Sequence, residues 1–264
     1  MSFTHLQVRS GYSLLDSTIT IEKLVKRASE LHFSSLALTD ENVLHGVIPF
    51  YKSCLKAGIK PLIGLIVKTT INNMDIPLVL LAKNNQGYQS LIKISTHIQM
   101  KNTCTYDFLC ETAEELICIL TTEIPFLKKM FIEQRYEEIR LFLHSISSIV
   151  SDKDLYIGVE VYNQETNTFI EHIKEYYLHE NKQIIAFHDV RYLDKKDAIS
   201  FDCLQAMKYN EKWDYSTRNR KITGRHLRSK EEMDAAFSTF PEIVENINEI
   251  VEKCHVTFDF NKQL

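Results

Sequence analysis

What most constrains this chain is an alternation: short runs of β-prone apolar residues separated by stretches whose apolar residues return every three or four positions. The runs lie at His5 to Val8, Leu36 to Thr39, Leu62 to Lys68, Pro77 to Ala82, Leu116 to Thr121, Leu155 to Val161 and Gln183 to Phe187. Such alternation is the pattern of βαβ units and a mostly parallel sheet. The runs are nearly continuous in hydrophobicity, so both faces of each strand must be covered. A closed barrel with helices outside meets that demand, and in it the first and last strands pair. The expected fold class is therefore α/β, a closed barrel of about seven strands with helices outside, and 264 residues at 44% hydrophobic content suffice to fill its core.

The intervening stretches carry helix signals. Thr20 stands where an N-cap hydroxyl would accept from the first turn of a helix bearing Leu24, Val25, Ala28 and Leu31 on one face. A helix over Val43 to Ala57 ends at Gly58, which can take a left-handed C-terminal conformation. Asn84 caps the next helix. The composition changes after the last run, and helical stretches follow at Asp197 to Lys208 and Ser229 to Lys253. This divides the chain into a barrel over 1–210 and a loop with a helical extension over 211–264.

Net charge is −4, so the chain as a whole has no strong field for phosphate backbones. The six cysteines include no Cys-x-x-Cys pair and read as reduced thiols of a cytoplasmic protein. No apolar run approaches the ~20 residues of a membrane span. One segment departs from the average: Arg218, Arg220, Lys221, Arg225 and Arg228 follow Trp213 and Tyr215 with no acid between Arg218 and Lys230. Aromatics beside cations suit single-stranded nucleic acid. A solvated loop or a face for a neighbouring domain is the plainer reading.

In a parallel barrel, functional groups collect at the carboxyl ends of the strands. Those ends offer Gln7, Arg9 and Asp16 from the first run and its loop. The second offers Asp40 and Glu41, and the last offers His188, Asp189 and Arg191. His5 precedes the mouth residues of this run and is expected to face out of the barrel. Ser10 and Ser13 have no histidine base nearby in sequence, and there is no Gly-x-Ser-x-Gly elbow and no glycine-rich phosphate loop.

The segments His5-Leu-Gln-Val-Arg-Ser-Gly-Tyr-Ser-Leu-Leu-Asp16, Leu36-Ala-Leu-Thr-Asp-Glu41 and His188-Asp-Val-Arg-Tyr192 resemble the motifs of the PHP (polymerase and histidinol phosphatase) family. Lys60-Pro-Leu-Ile-Gly64 and Leu80-Leu-Ala-Lys-Asn-Asn-Gln-Gly-Tyr88 resemble bacterial replicative polymerase subunits more than free-standing phosphatases. The likeness is to the Bacillus-like type of DNA polymerase III α subunit whose PHP region starts at the amino terminus and holds no inserted exonuclease. It implies an α/β fold of the PHP type, a distorted (β/α)7 barrel with a short helical C-terminal extension, as the leading domain of a template-directed polymerase. The palm and its Mg2+ would lie beyond Leu264, because Phe258-Asp259-Phe260 supplies only one acid.

The family motif gathers a multinuclear metal cluster that activates water for phosphoester hydrolysis. Carried over position by position, the first-strand histidines fall on Gln7 and Arg9, and the Thr-Asp-His pair on Asp40 and Glu41. The Gly-x-Glu acid falls on Ile66, and the last Asp-x-His on Asp189 and Arg191. Asp16 and Asp189 remain as typical ligands, but arginine cannot shed its proton to coordinate and Ile66 has no donor. The resemblance thus implies a degenerate site with no metal and no cofactor in this domain, in which Arg9 and Arg191 offset the carboxylates. His188 stands beside Asp189 as a residual metal or phosphate contact. A metal-dependent phosphoesterase or 3′–5′ proofreading exonuclease is one alternative, and a docking module for replisome proteins is another. The remaining polymerase subunit and, in the parent, DNA are the implied partners.

Overall fold

The computed structural model describes residues 3–71, 74–161, 167–180, 183–213 and 224–260, and every apolar run becomes a strand. These are β1 (Gln7–Val8), β2 (Ser35–Glu41), β3 (Lys60–Ile71), β4 (Met74–Ala82), β5 (Leu116–Thr121), β6 (Leu155–Glu160) and β7 (Ile184–Phe187). After His188 the last run resumes as β8 (Asp189–Val190). A 6-stranded sheet runs in the order β2-β3-β4-β5-β6-β7, and β1 pairs with β8 in parallel, Gln7 opposite Asp189. On its other side β1 meets β2, where Ala37 N donates to His5 O at 3.1 Å and Val8 N donates to Thr39 Oγ1 at 3.0 Å. The first and last strands are therefore neighbours, and the sheet curls into a distorted α/β barrel.

One strand runs against the βαβ pattern. β4 is antiparallel to both β3 and β5, while the other neighbours in the sheet are parallel. Only positions 72 and 73 separate β3 from β4. A parallel return needs a crossover of about a dozen or more residues, so this connection permits only a hairpin. At Gly64 the hairpin and β2 come so close that a Cβ would sit 2.5 Å from Leu80 O and 2.8 Å from a methyl of Thr39.

The outer helices follow their end signals with one exception. In α1 (Ile21–Glu30) the residue Thr20 is the extended N-cap, but its hydroxyl makes no capping bond, contrary to expectation. The helix instead seats itself by burying Ile21, Leu24, Val25 and Ala28. The helix α2 (Val47–Ala57) starts four residues later than expected and closes at Gly58, whose φ of 69° is left-handed. Asn84 caps α3 (Asn85–Lys101) by accepting from Gln86 N and Gly87 N. The helices α4 (Tyr106–Thr112), α5 (Pro125–Ile132), α6 (Tyr136–Ile146) and α7 (Asn167–Glu180) complete the wrapping between β4 and β7.

After the barrel come α8 (Ala198–Lys208), α9 (Lys230–Ala236), α10 (Glu242–Glu245) and α11 (Ile247–Lys253). The last of these seal the end where β6 and β7 begin. Met233, Phe237, Phe240, Ile243, Ile247 and Ile250 join the same apolar cluster as Tyr156 and Ile184. Asn246 Nδ2 donates to Ile184 O at 2.8 Å, and Tyr156 Oη donates to Glu249 Oε1 at 2.9 Å. Burying a large apolar side chain contributes about 1.5–3 kcal/mol, so these helices are part of what stabilises the barrel. Closure of that end leaves the opposite mouth for polar groups.

Candidate functional site

At the mouth the strand ends and loops bring together side chains far apart in sequence. Asp189 is the centre. Arg9 Nη1 donates to its Oδ1, and Arg191 Nε donates to its Oδ2 at 2.7 Å. Arg225 Nη1 donates to the same Oδ2. Side-chain exposure is 6% for Asp189 and Arg9, 15% for Arg191 and 29% for Arg225. Burial alone would raise the Asp189 carboxyl, but the guanidiniums of Arg191, Arg9 and Arg225 outweigh it and hold the group well below the usual carboxylate range.

The second carboxylate, Asp16, is bridged by Arg191 Nη1 at 2.8 Å and Lys208 Nζ at 2.9 Å on one oxygen, with Gln205 Nε2 at 3.3 Å. Burial raises it, yet Arg191 and Lys208 bring its pKa down overall. Burial works against the charge of Arg191 too, and Asp189 and Asp16 more than restore it, so its pKa is raised. The third acid, Glu41, lies 3.8 Å from Arg9 Nη2 and 3.2 Å from Lys68 Nζ. Asp40 accepts at 2.7 Å from Ser10 N, Ser10 Oγ and Ser13 Oγ. Burial raises its pKa and the two serine hydroxyls oppose the rise. These bonds shape the loop between β1 and α1.

Gln7 is buried, and its Oε1 finds no hydrogen-bond partner. Ile66, 1% exposed, stands opposite Glu41 in the β2–β3 register and joins the apolar core. Among the described residues, no three His, Cys, Asp or Glu side chains are grouped so as to hold a metal ion. The donor set therefore does not fit the multinuclear centre that the motif implies: two of its positions are guanidiniums, one is an aliphatic, and each remaining acid is bound to protein donors.

The other sequence candidates lie elsewhere. His188 does not face the mouth as a residual metal or phosphate contact. Its ring is buried on the far side of the seam, where Nε2 donates to His226 O at 3.0 Å and the ring stands 5.6 Å from that of His5. Alternation explains this, since Asp189 takes the inward position and its neighbour must point away. Burial is the main cause that lowers the His188 pKa well below its ordinary value, with Arg228 and His5 adding to it. His5 also faces away from the mouth, buried, with Nε2 donating to Arg228 O at 2.9 Å.

Of the cations considered for nucleic acid, Arg218, Arg220 and Lys221, like Tyr215, lie outside the described residues. The structure corrects the other two. Arg228 is buried and its Nη1 donates to Val161 O at 2.9 Å, while the guanidinium of Arg225 is engaged by Asp189. Reading the run as a basic loop missed Arg225 as a member of the mouth, and Lys208, Lys68 and Gln205 were missed too. No local signal marks them, because their partners are distant in sequence.

The sequence profile of the PHP domain matches residues 5–161, and the chain belongs to the PHP domain family. Within it, the chain is similar to the DNA polymerase III subunit alpha of Bacillus subtilis, 35% identical over 263 residues that make up 97% of this chain and 23% of that protein. The Borreliella burgdorferi subunit alpha is 29% identical over 270 residues, 96% of this chain and 24% of the relative. The chain thus spans about a quarter of the length of these curated relatives. Among solved structures, an amidohydrolase from Chromobacterium violaceum superposes with a TM-score of 0.47 at 11% identity, over 71% of this chain and 87% of that one.

Proposed function

We propose that the chain is the PHP portion of a DNA polymerase III α subunit, and that it serves that template-directed polymerase as a structural domain and not as a phosphoesterase. Similarity to such subunits over 97% of the chain supports the first half. The observation that carries the second is Asp189 held between Arg9, Arg191 and Arg225. A divalent ion on Asp189 would face those fixed positive charges at close range, a repulsion of several kcal/mol at an effective dielectric of ~20. The guanidiniums supply the positive charge that a carboxylate cluster needs, and they tie β1, β8 and the segment around residue 225 to one another.

On this reading the partners are the remainder of the α subunit and, through it, DNA and the replisome proteins. Mg2+ belongs to the polymerase palm, and the protein works in the cytoplasm. No helix among the described residues is long and apolar enough to cross a membrane. The test is calorimetric titration of the chain with Mn2+ and Zn2+, alongside a phosphodiesterase assay with each metal. Absence of saturable binding and of turnover is expected. Micromolar binding with metal-dependent hydrolysis would replace this reading with a phosphoesterase or proofreading exonuclease.

A further inference from the structure

Residues 224–228 leave Gly224 at a φ of 95° and run beside the continuation of β8. Arg191 N donates to Arg225 O at 2.9 Å, Leu227 N donates to Tyr192 O at 3.0 Å, and Tyr192 and His226 form a parallel bridge. Tyr192 Oη accepts from Arg225 N at 3.1 Å. Leu227 is 2% exposed and packs in the cluster that holds Val8, Phe33 and Val190. Behind the seam, the carbonyls of His226 and Arg228 accept from His188 and His5, and Arg228 reaches Val161 O. The next residue, Ser229, starts α9 through a capping box with Glu232.

This short segment therefore crosses the join between the first and last strands and sets where the sealing helices begin. It contributes one side chain to the mouth, Arg225, and that side chain meets the carboxylate already shared by Arg9 and Arg191. Arg9 and Arg191 also face Glu41 and Asp16, so three guanidiniums meet three carboxylates, and Arg225 is the most exposed of the three. It is the member whose attachment costs least in desolvation, because it stays partly in water.

We propose that residues 224–228 form a strap latched onto the barrel mouth, with Asp189 as the keeper and Arg225 as the bolt, so that the charge cluster is an intramolecular docking site for the chain that follows the barrel. The inference rests on the structural reading of the mouth. It assigns the cluster a further task, which is to couple the mouth to the placement of α9 and of whatever is attached beyond it.

Hydrogen–deuterium exchange of the whole chain, in chelator-treated buffer, tests the latch on peptides over 224–230 and, as an internal reference, 116–121. Arg225→Ala is expected to speed exchange over 224–230 by about tenfold or more while leaving 116–121 within about twofold. Arg225→Lys, which keeps the charge but loses the planar fork, should fall between wild type and alanine. Lys208→Ala removes another mouth cation that binds Asp16 and should leave the strap unchanged. Unchanged strap exchange in both Arg225 variants overturns the proposal, as does an equal rise in the reference peptide or the same rise in Lys208→Ala. Should Arg225→Ala fail to fold, Arg225→Lys against Lys208→Ala decides the matter alone. Manganese binding by the wild type would sink the structural reading of the mouth, while the metal-free exchange comparison would still decide whether the strap is latched.

Discussion

Replacing Arg9 by alanine probes the mouth where its charges are most buried. The guanidinium donates to Asp189 and lies 3.8 Å from Glu41. Removing one partner of a fully buried pair costs ~3–5 kcal/mol, mostly because the other charge is left uncompensated. Here Asp189 keeps Arg191 and Arg225, so the electrostatic loss is smaller, while the vacated methylenes add a packing loss. The sum is about 2–3 kcal/mol, which for a chain of this size lowers Tm by roughly 5–10 °C. Chemical denaturation and calorimetry at neutral pH measure both. Arg140→Ala is the surface control: its side chain is 53% exposed, its partner is Glu137, and its loss should stay within ~0.5 kcal/mol. Arg9→Met separates volume from charge by restoring most of the packing. The reasoning is refuted if Arg9→Ala melts within about 1 °C of wild type, which is the range of a surface change. Full recovery in Arg9→Met would assign the effect to volume alone.

Three further outcomes follow from the same geometry. Burial lowers the His5 imidazole from 6.5 to about 4, so on acidification the unfolded chain takes up that proton first. Its stabilising contribution is complete above 6.5 and is lost as pH falls towards 4, on the order of 3 kcal/mol in total, and His5→Leu should flatten that part of the stability–pH curve measured in urea. Asp189 and Asp16, whose pKa values are depressed, lose their contribution only at lower pH, below the ordinary value of 3.8. Ser229→Ala removes the capping bond to Glu232 N and should cost about 1 kcal/mol by denaturant titration, with no change if the cap is immaterial. Gly58→Ala forces a side chain into a left-handed C-terminal position and should cost ~1 kcal/mol by the same measurement, despite open space around the glycine.

The fold was legible where burial acts on both faces of a strand. Leu116 to Thr121 reads as a strand without ambiguity, because nearly every residue of β5 is enclosed and the run is apolar throughout. The reversal of β4 was not visible in the runs themselves, whose residues look alike in either direction. Its signal was the short spacing of eight positions, 69–76, between Lys68 and Pro77, too few for a crossover. The mouth was legible as far as strand ends could be ordered, which brings Arg9, Asp16, Asp189 and Arg191 together. Arg225 was not, since among neighbouring cations it reads as a solvated loop residue. Its acid lies 36 residues away, and Arg191 and Asp16 are 175 apart. Local charge pattern carries no information about such pairs. His188 failed for another reason: its side of the strand depended on a one-residue register choice that the adjacent Asp189 resolves.

The most direct measurement is a crystal grown with manganese chloride, with diffraction data collected at the manganese absorption edge. The account predicts guanidinium density from Arg9, Arg191 and Arg225 around Asp189 and no anomalous peak in the mouth. An anomalous peak bridging Asp16, Glu41 and Asp189, with the arginines swung aside, would contradict it.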